Sequence, residues 1–187
     1  MEALLVLLGL LLVVGLALAA MHNGFVSARA HVRESWSGVD VELKRRHDLV
    51  PNLVATVKGH AAHERETLER LVALRADAES LRADLPRRDL AAVEGRLAST
   101  LALLVARFEA YPDLKSDQHF LALQAELANT EDRIQGALRF YNGNVRELNV
   151  KCESFPTNLV ARLFGFEPAA YFKLEDAAQR AAPTVQA

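Results

Sequence analysis

An unbroken hydrophobic run opens the chain, and apolar residues recur at helical spacing after it. Residues Ala3–Met21 contain no charged and no strongly polar side chain. As a helix, these 19 residues would extend about 28 Å, close to the hydrocarbon thickness of a bilayer of about 30 Å. The run predicts a transmembrane anchor over residues 1–22.

Two other interpretations of this run stay open. Ala17–Ala19 resembles a cleavage site, which favours a secretory signal peptide. However, only Glu2 and the amino group precede the run, and it is long for an h-region of about 7–15 residues. A buried helix of a soluble protein is the third interpretation. An uncleaved, single-pass anchor fits the pattern best.

The cations nearest the run predict its orientation. No Lys or Arg precedes it, and the cations that follow are Arg29, Arg33, Lys44, Arg45 and Arg46. By the positive-inside rule, the part after the run lies in the cytoplasm. We therefore expect a single-pass membrane protein with a cytoplasmic C-terminal part.

Three later stretches carry apolar residues at steps of three and four, as amphipathic helices do. The first comprises Val32, Trp36, Val39, Leu43, Val50, Leu53, Val57, Ala61, Leu68, Leu71 and Val72. The second comprises Leu90, Val93, Leu97, Leu101, Leu104 and Phe108. The third comprises Phe120, Leu123, Leu127, Ile134, Leu138, Tyr141, Val145 and Leu148. No alternating strand pattern competes with them.

Prolines and capping residues divide these stretches into helices. Pro86, with Asp84 as a candidate N-cap, separates the first stretch from the second. Pro112 precedes the third helix, with Ser116 as its expected N-cap. Pro156 and Gly165 bracket a short C-terminal helix, the usual asymmetry of proline before a helix and glycine after it.

Pro51 lies within the first stretch, which is too long for one straight helix of a compact domain. Proline cannot donate to the carbonyl of His47, so we expect a kink or a restart there, with Asp48 as N-cap. The sequence therefore predicts an all-α fold, in which a transmembrane helix precedes an antiparallel four-helix bundle and a short C-terminal helix. The bundle would occupy residues 23–172, and residues 173–187 would form a flexible tail.

Composition and charge narrow the function classes. The chain has 187 residues, of which 51% are hydrophobic but only 6% aromatic, as in helical proteins rich in Ala and Leu. Its net charge of −2 argues against a nucleic-acid-binding protein, which would show a basic excess. Cys152 is the only cysteine, so an intramolecular disulfide is excluded.

Three segments resemble the LemA family: "DVELKRRHDLVPNLVATVKGHAAHE" (Asp40–Glu64), "YPDLKSDQHFLALQAELANTEDRIQGALRFYN" (Tyr111–Asn142) and "FPTNLVARLFGF" (Phe155–Phe166). The resemblance implies a helical bundle that is anchored in the bacterial inner membrane and faces the cytoplasm. The family has no generally established biochemical activity. One branch of the family is associated with magnetosome membranes, which suggests membrane organisation by analogy. His60 and Asp132 depart from the family pattern, which commonly has an aromatic residue and an asparagine there.

The segment "LKRRHDLVPNLV" contains the best candidate for a polar site. Its three cations fan around the helix, and the inward position between Leu43 and Val50 falls on Arg46 or His47. A buried cation must be paired, and Glu131 or Glu64 is the expected partner. Either this pair is structural, or a larger polar cluster binds a ligand or partner; its members would be Arg46, His47, Asp48, Asn52, Glu131 and Arg133.

Neither metal binding nor catalysis is expected. His60, His63 and Glu64 share a helical face, but their order matches neither the di-iron nor the zincin pattern. His47 and Asp48 point about 100° apart on a helix and cannot form a dyad. The sequence has no nucleophile elbow, phosphate loop or cysteine pair, so we expect no catalytic residue, metal or cofactor.

The segment "FPTNLVARLFGF" concentrates large apolar side chains. They either cap the open end of the bundle or form an exposed patch for a protein partner or the membrane surface. The residues concerned are Phe155, Leu159, Val160, Leu163, Phe164 and Phe166.

The features together predict a non-enzymatic scaffold or adaptor in the membrane, which has a protein partner or forms a homo-oligomer. A ligand-sensing module that uses the polar cluster in the bundle core is the alternative.

Overall fold

The computed structural model describes residues 1–58, 64–82 and 88–174, and every regular element within these ranges is a helix. The helices are α1 (Glu2–Val57), α2 (Arg65–Leu81), α3 (Arg88–Phe108), the single turn α4 (Pro112–Lys115), α5 (Gln118–Glu153) and α6 (Thr157–Phe164). The predicted all-α class, with a long apolar N-terminal helix and a short C-terminal one, is confirmed.

The chain forms two compact units. The first unit comprises residues 1–37 and 139–171, and the second comprises the described residues between 38 and 138 together with residues 172–174. The two longest helices, α1 and α5, each contribute residues to both units.

The second unit is a four-helix bundle built from α1, α2, α3 and α5. Each helix contributes one apolar stripe to a shared core, which is the arrangement expected of amphipathic helices. The buried core residues are Val50, Leu53, Val57, Leu68, Leu71, Leu74, Ala78, Val93, Leu97, Leu101, Leu104, Phe108, Leu114 and Phe120. Most of them belong to the predicted stripes.

In the first unit, α1 and α5 pack against each other in an antiparallel arrangement. The Trp36 and Tyr141 rings meet with centroids 5.4 Å apart, whereas nearer the start of α1 the Nζ of Lys151 donates to the carbonyl of Gly24 at 3.3 Å. Helix α6 closes this unit against a small core, whose buried members are Phe25, Ala28, Leu148, Val160, Ala161 and Phe166.

Helix α1 passes through Pro51 and continues for six residues, to Val57. The predicted restart with Asp48 as N-cap is therefore wrong, because Asp48 lies inside α1. The carbonyl of His47, which Pro51 cannot satisfy, accepts instead from the Nε of Arg75 at 2.9 Å. A side chain of α2 thus replaces the missing backbone donor, and the helix need not end at the proline.

The breaks before α5 and around α6 agree with the prediction, whereas the break between α1 and α2 does not, because α1 ends at Val57 and α2 begins at Arg65. Asp117, rather than Ser116, caps α5, because its Oδ1 accepts from the backbone N–H of His119 at 2.7 Å and of Phe120 at 3.3 Å. Gly165 ends α6 in the left-handed region with φ 69°, as predicted. Pro86 and its candidate N-cap lie outside the described residues.

Candidate functional site

The site begins with Arg46 and His47, neighbours on α1 that are both buried. Arg46 lies three residues after Leu43, and His47 lies three residues before Val50. Both positions therefore fall on the inward face of the helix. Arg46 is 2% exposed and His47 is 1% exposed. The sequence predicted one inward polar residue here, and the structure has two.

Glu94 of α3 joins these two side chains. Its Oε2 accepts from the Nη2 of Arg46 at 2.5 Å, and its Oε1 lies 3.0 Å from the Nε2 of His47. The backbone carbonyl of Glu94 also accepts from Nη2 of Arg46, at 3.2 Å. Glu94 is itself fully buried, so a carboxylate and a guanidinium pair in the interior.

Glu131 of α5 completes the cluster from a more exposed position. Its Oε2 lies 2.9 Å from the Nη1 of Arg46, and its Oε1 accepts from the amide of Gln135 at 3.3 Å. Arg46 therefore connects α1 to both α3 and α5. We call Arg46, His47, Glu94 and Glu131 the buried ion cluster.

The electrostatics of the buried ion cluster favour ionised Glu94. Burial alone would raise the pKa of this carboxyl group, but the hydrogen bond to His47 and the charge of Arg46 together hold its pKa below the ordinary value of 4.5. Two buried nitrogens of the cluster, Arg46 Nε and His47 Nδ1, have no hydrogen-bond partner among the described residues.

The cluster contains a carboxylate–imidazole pair, which in other settings can transfer protons. General acid–base chemistry requires that a substrate reach the imidazole. His47 is enclosed by the bundle, and one of its ring nitrogens already contacts Glu94. The contacts therefore describe a buried ion pair network that holds helices together rather than a centre open to substrate.

Three of the predicted cluster residues lie elsewhere. Asp48 is exposed and pairs with Lys44 at 3.0 Å. Asn52 and Arg133 are also exposed, and neither has a hydrogen bond or ion pair to the buried ion cluster among the described residues. The buried ion cluster thus contains fewer residues of α1 and α5 than predicted. It also includes Glu94 of α3, which was not predicted.

Of the two acids expected to pair with Arg46, only Glu131 does so. The carboxylate of Glu64 instead lies 2.7 Å from Nη1 of Arg107. Glu94 was missed, although the sequence contains a signal for it. It lies four residues after Leu90 and three before Leu97, which places an acid on the apolar stripe of α3.

The histidines of the H-x-x-H-E segment, His60 and His63, lie outside the described residues. Within the part of the chain that the structure describes, no group of three His, Cys, Asp or Glu side chains is arranged to hold a metal ion.

The apolar segment near the C-terminus divides into two faces. Val160 and Phe166 are buried, and the Phe166 ring stacks on Phe25 at 4.8 Å between centroids. Phe166 therefore belongs to the core and not to the predicted patch. The other four predicted patch residues are exposed: Phe155, Leu159, Leu163 and Phe164.

Helix α1 contains the one candidate membrane span found among the described residues. Its most apolar window has a mean hydropathy of 3.0, and none of that window is buried against the rest of the protein. Length and composition suit a membrane crossing.

The helical bundle and the long apolar N-terminal segment of α1 together define an all-α protein with a candidate membrane anchor. The profile of the LemA family matches residues 35–186. The chain belongs to the LemA family, as the resemblance of its three segments predicted.

Several named proteins are similar to this chain. Protein LemA of Metamycoplasma hominis is 25% identical over 154 residues, which cover 82% of this chain and 69% of that protein. Magnetosome protein MamQ 2 of Paramagnetospirillum magneticum is 26% identical over 175 residues, covering 81% of this chain and 64% of the relative. Magnetosome protein MamQ of Magnetospirillum gryphiswaldense is 24% identical over 174 residues with the same coverage. The chain thus spans less than two thirds of the length of the MamQ relatives.

Proposed function

We propose that this protein is a single-pass membrane protein whose helical bundle acts as a non-enzymatic scaffold or adaptor. The observation that carries the proposal is the continuity of α1. One helix, Glu2–Val57, contains both the exposed apolar window and the core residues Val50, Leu53 and Val57. A bundle joined to an anchor by an unbroken helix is suited to holding a partner close to a membrane.

The distribution of charge and the names of similar proteins support a location of the bundle at the membrane. The cations that follow the apolar run favour the cytoplasmic face of a bacterial inner membrane for the bundle. Two of the relatives are named as magnetosome proteins, and that name agrees with a role in membrane organisation. In the buried ion cluster, Arg46, His47 and Glu94 are enclosed by the bundle, and only Glu131 is partly exposed.

The scaffold role requires a stable protein partner or a homo-oligomer. The full chain should be extracted in mild detergent with an affinity tag, and its mass measured by light scattering after chromatography. After the mass of the bound detergent is subtracted, we expect a protein mass greater than that of one 20.6 kDa chain, and we expect excess untagged protein to compete for the complex. An unrelated single-pass protein with the same tag is the control. A monomer that retains no protein would contradict the scaffold role.

A ligand-sensing module is the competing proposal, and the unpartnered Arg46 Nε and His47 Nδ1 favour it. In that case a small molecule should raise the melting temperature of the full chain. The Arg46→Ala variant should lose this rise while remaining folded, whereas Arg45→Ala, at an exposed position, should retain it. If no compound in a metabolite panel shifts the wild-type melting temperature, the sensing role is not supported.

A further inference from the structure

Helix α6 and the residues just before it leave four large apolar side chains uncovered within ten residues. Phe155 is 80% exposed, Leu159 56%, Leu163 70% and Phe164 49%. The opposite face of the helix is buried through Val160 and Ala161. An amphipathic helix whose apolar outer face remains in water requires a partner or a membrane surface to cover it.

The contacts of α6 place this face at the end of the apolar run of α1. The Phe164 ring lies 4.6 Å from the ring of His22 between centroids, and His22 directly follows Met21, the last residue of the run. The Phe166 ring lies 5.4 Å from the same histidine. The helix therefore packs where α1 would leave the hydrocarbon.

The end of α5 reaches the same level. Lys151 donates to the carbonyl of Gly24, and Phe155 follows four residues later in the direction of the apolar run. Along α1, the first charged residue after the run is Arg29, about 12 Å beyond Met21 at about 1.5 Å per residue. The contacts of Lys151 with Gly24 and of Phe164 with His22 thus fall within the uncharged stretch that would cross the headgroup region.

Cations border the apolar face. The guanidinium carbon of Arg29 lies 5.1 Å from the centroid of the Phe166 ring, and Arg162 of α6 is exposed. Basic residues next to an apolar helix face are typical of helices that lie in the plane of an anionic membrane surface.

We propose that α6 lies in the interface of the same membrane that α1 crosses, with Phe155, Leu159, Leu163 and Phe164 inserted between the lipids. This inference rests on the proposed anchoring by α1. The second contact would fix the tilt and rotation of the first unit on the membrane, which a single helix leaves free.

The test uses the full chain reconstituted in vesicles of phosphatidylcholine and phosphatidylglycerol. In a Cys152→Ala background, one fluorophore is attached at a time through Leu163→Cys, Leu8→Cys or Arg139→Cys. The quenchers are lipids with a doxyl group near the headgroup or deep in the acyl chain, and aqueous iodide. Circular dichroism establishes that each variant retains its helix content.

We expect the label at position 163 to lose most of its emission to the shallow doxyl lipid and little to iodide, because an interfacial helix buries its apolar face by about 5–10 Å. The label at position 139 should respond only to iodide, and the label at position 8 to the deep doxyl lipid. Replacing Leu159 by Glu should reduce the lipid quenching at position 163.

Three results would overturn the inference, and they are distinguishable. If position 8 is quenched by lipid but position 163 only by iodide, α1 anchors the protein and α6 faces water. If position 163 is shielded from both quenchers, a protein partner or second copy covers α6. If position 8 also shows no lipid quenching, the proposed anchoring itself fails.

Discussion

Glu94 places a carboxylate among the apolar residues of α3, where it contacts both Arg46 and His47. Removing one partner of a buried ion pair leaves an uncompensated charge. We therefore expect Glu94→Gln, which retains the shape but not the charge, to lower the free energy of unfolding by about 3 kcal/mol or more. Urea titration followed by circular dichroism measures this difference.

Glu126 offers a matched control for that substitution. It pairs with Arg45 at 2.8 Å, and both side chains are more than a third exposed. Because solvent weakens such pairs, Glu126→Gln should cost about 1 kcal/mol or less. Equal losses for the two variants would show that the buried ion cluster adds nothing beyond a surface pair.

The lowered pKa of Glu94 also predicts the response of stability to acid. Since the folded pKa lies below the ordinary value of 4.5, the unfolded chain binds the proton more readily. The contribution of Glu94 to stability is complete above about pH 4.5 and is lost as the pH falls through the lower folded pKa. The urea midpoint of the wild type should therefore fall more steeply below about pH 4.5 than that of Glu94→Gln. Parallel slopes in the two proteins would contradict this.

Sequence patterns identified this cluster only in part, for a physical reason. Spacing from Leu43 and Val50 placed Arg46 and His47 inward, because helix geometry alone determines that face. Which acids reach a buried cation depends on the packing of other helices. Glu131 was named as a candidate, but Glu94 could be found only by asking which apolar stripe contains an acid.

At the scale of the helices, the Nε of Arg75 in α2 donates to the backbone carbonyl of His47 in α1. It takes the place of the backbone N–H that Pro51 lacks. Arg75→Met should lower the free energy of unfolding by about 1–2 kcal/mol, because that partly buried carbonyl loses its donor. In a Pro51→Ala background the alanine N–H can bond the His47 carbonyl, so the same change should cost less.

The double-mutant cycle of these two changes isolates the coupling. Arg70→Met, at an exposed position on the same helix, is the control and should have little effect in either background. If Arg75→Met costs the same with and without Pro51, the hydrogen bond does not compensate for the proline.

At the start of α5, the N-cap Asp117 is expected to contribute to the stability of the protein. Asp117→Ala removes the side-chain oxygen that accepts from the first backbone N–H groups of α5, so it should destabilise the protein by about 1 kcal/mol. Asp117→Asn keeps an acceptor oxygen and should restore most of that loss. Thermal unfolding of the three proteins compares them, and an asparagine variant as unstable as the alanine variant would argue against capping.

The helices themselves were predictable, whereas their exact ends were not. Apolar periodicity identified the four bundle helices and α6, since each must bury one stripe. A kink or a restart was expected at Pro51 on local chemistry alone, and the compensating Arg75 lies on another helix. Phe166 was grouped with the exposed patch because adjacency in sequence does not separate the two faces of a short segment.

At the scale of the whole molecule, Cys152 is a native probe of the side of the membrane on which the proposed anchor holds the bundle. Burial, and then the charge of Glu153, raise the pKa of this thiol above its ordinary value, so it reacts slowly with maleimides at neutral pH. We expect a membrane-impermeant maleimide to leave Cys152 unlabelled in intact cells and to label it in inside-out vesicles, faster as the pH is raised. The positive-inside rule is the reason for this expectation.

A faster reporter separates orientation from burial in that experiment. Arg146→Cys in a Cys152→Ala background places a thiol at an exposed position of α5, where labelling does not depend on opening the core. This thiol should be labelled from the same side of the membrane as Cys152, but at a higher rate. Rapid labelling of this variant in intact cells would place the bundle outside the cytoplasm, and a scaffold role would then have to be sought among extracytoplasmic partners.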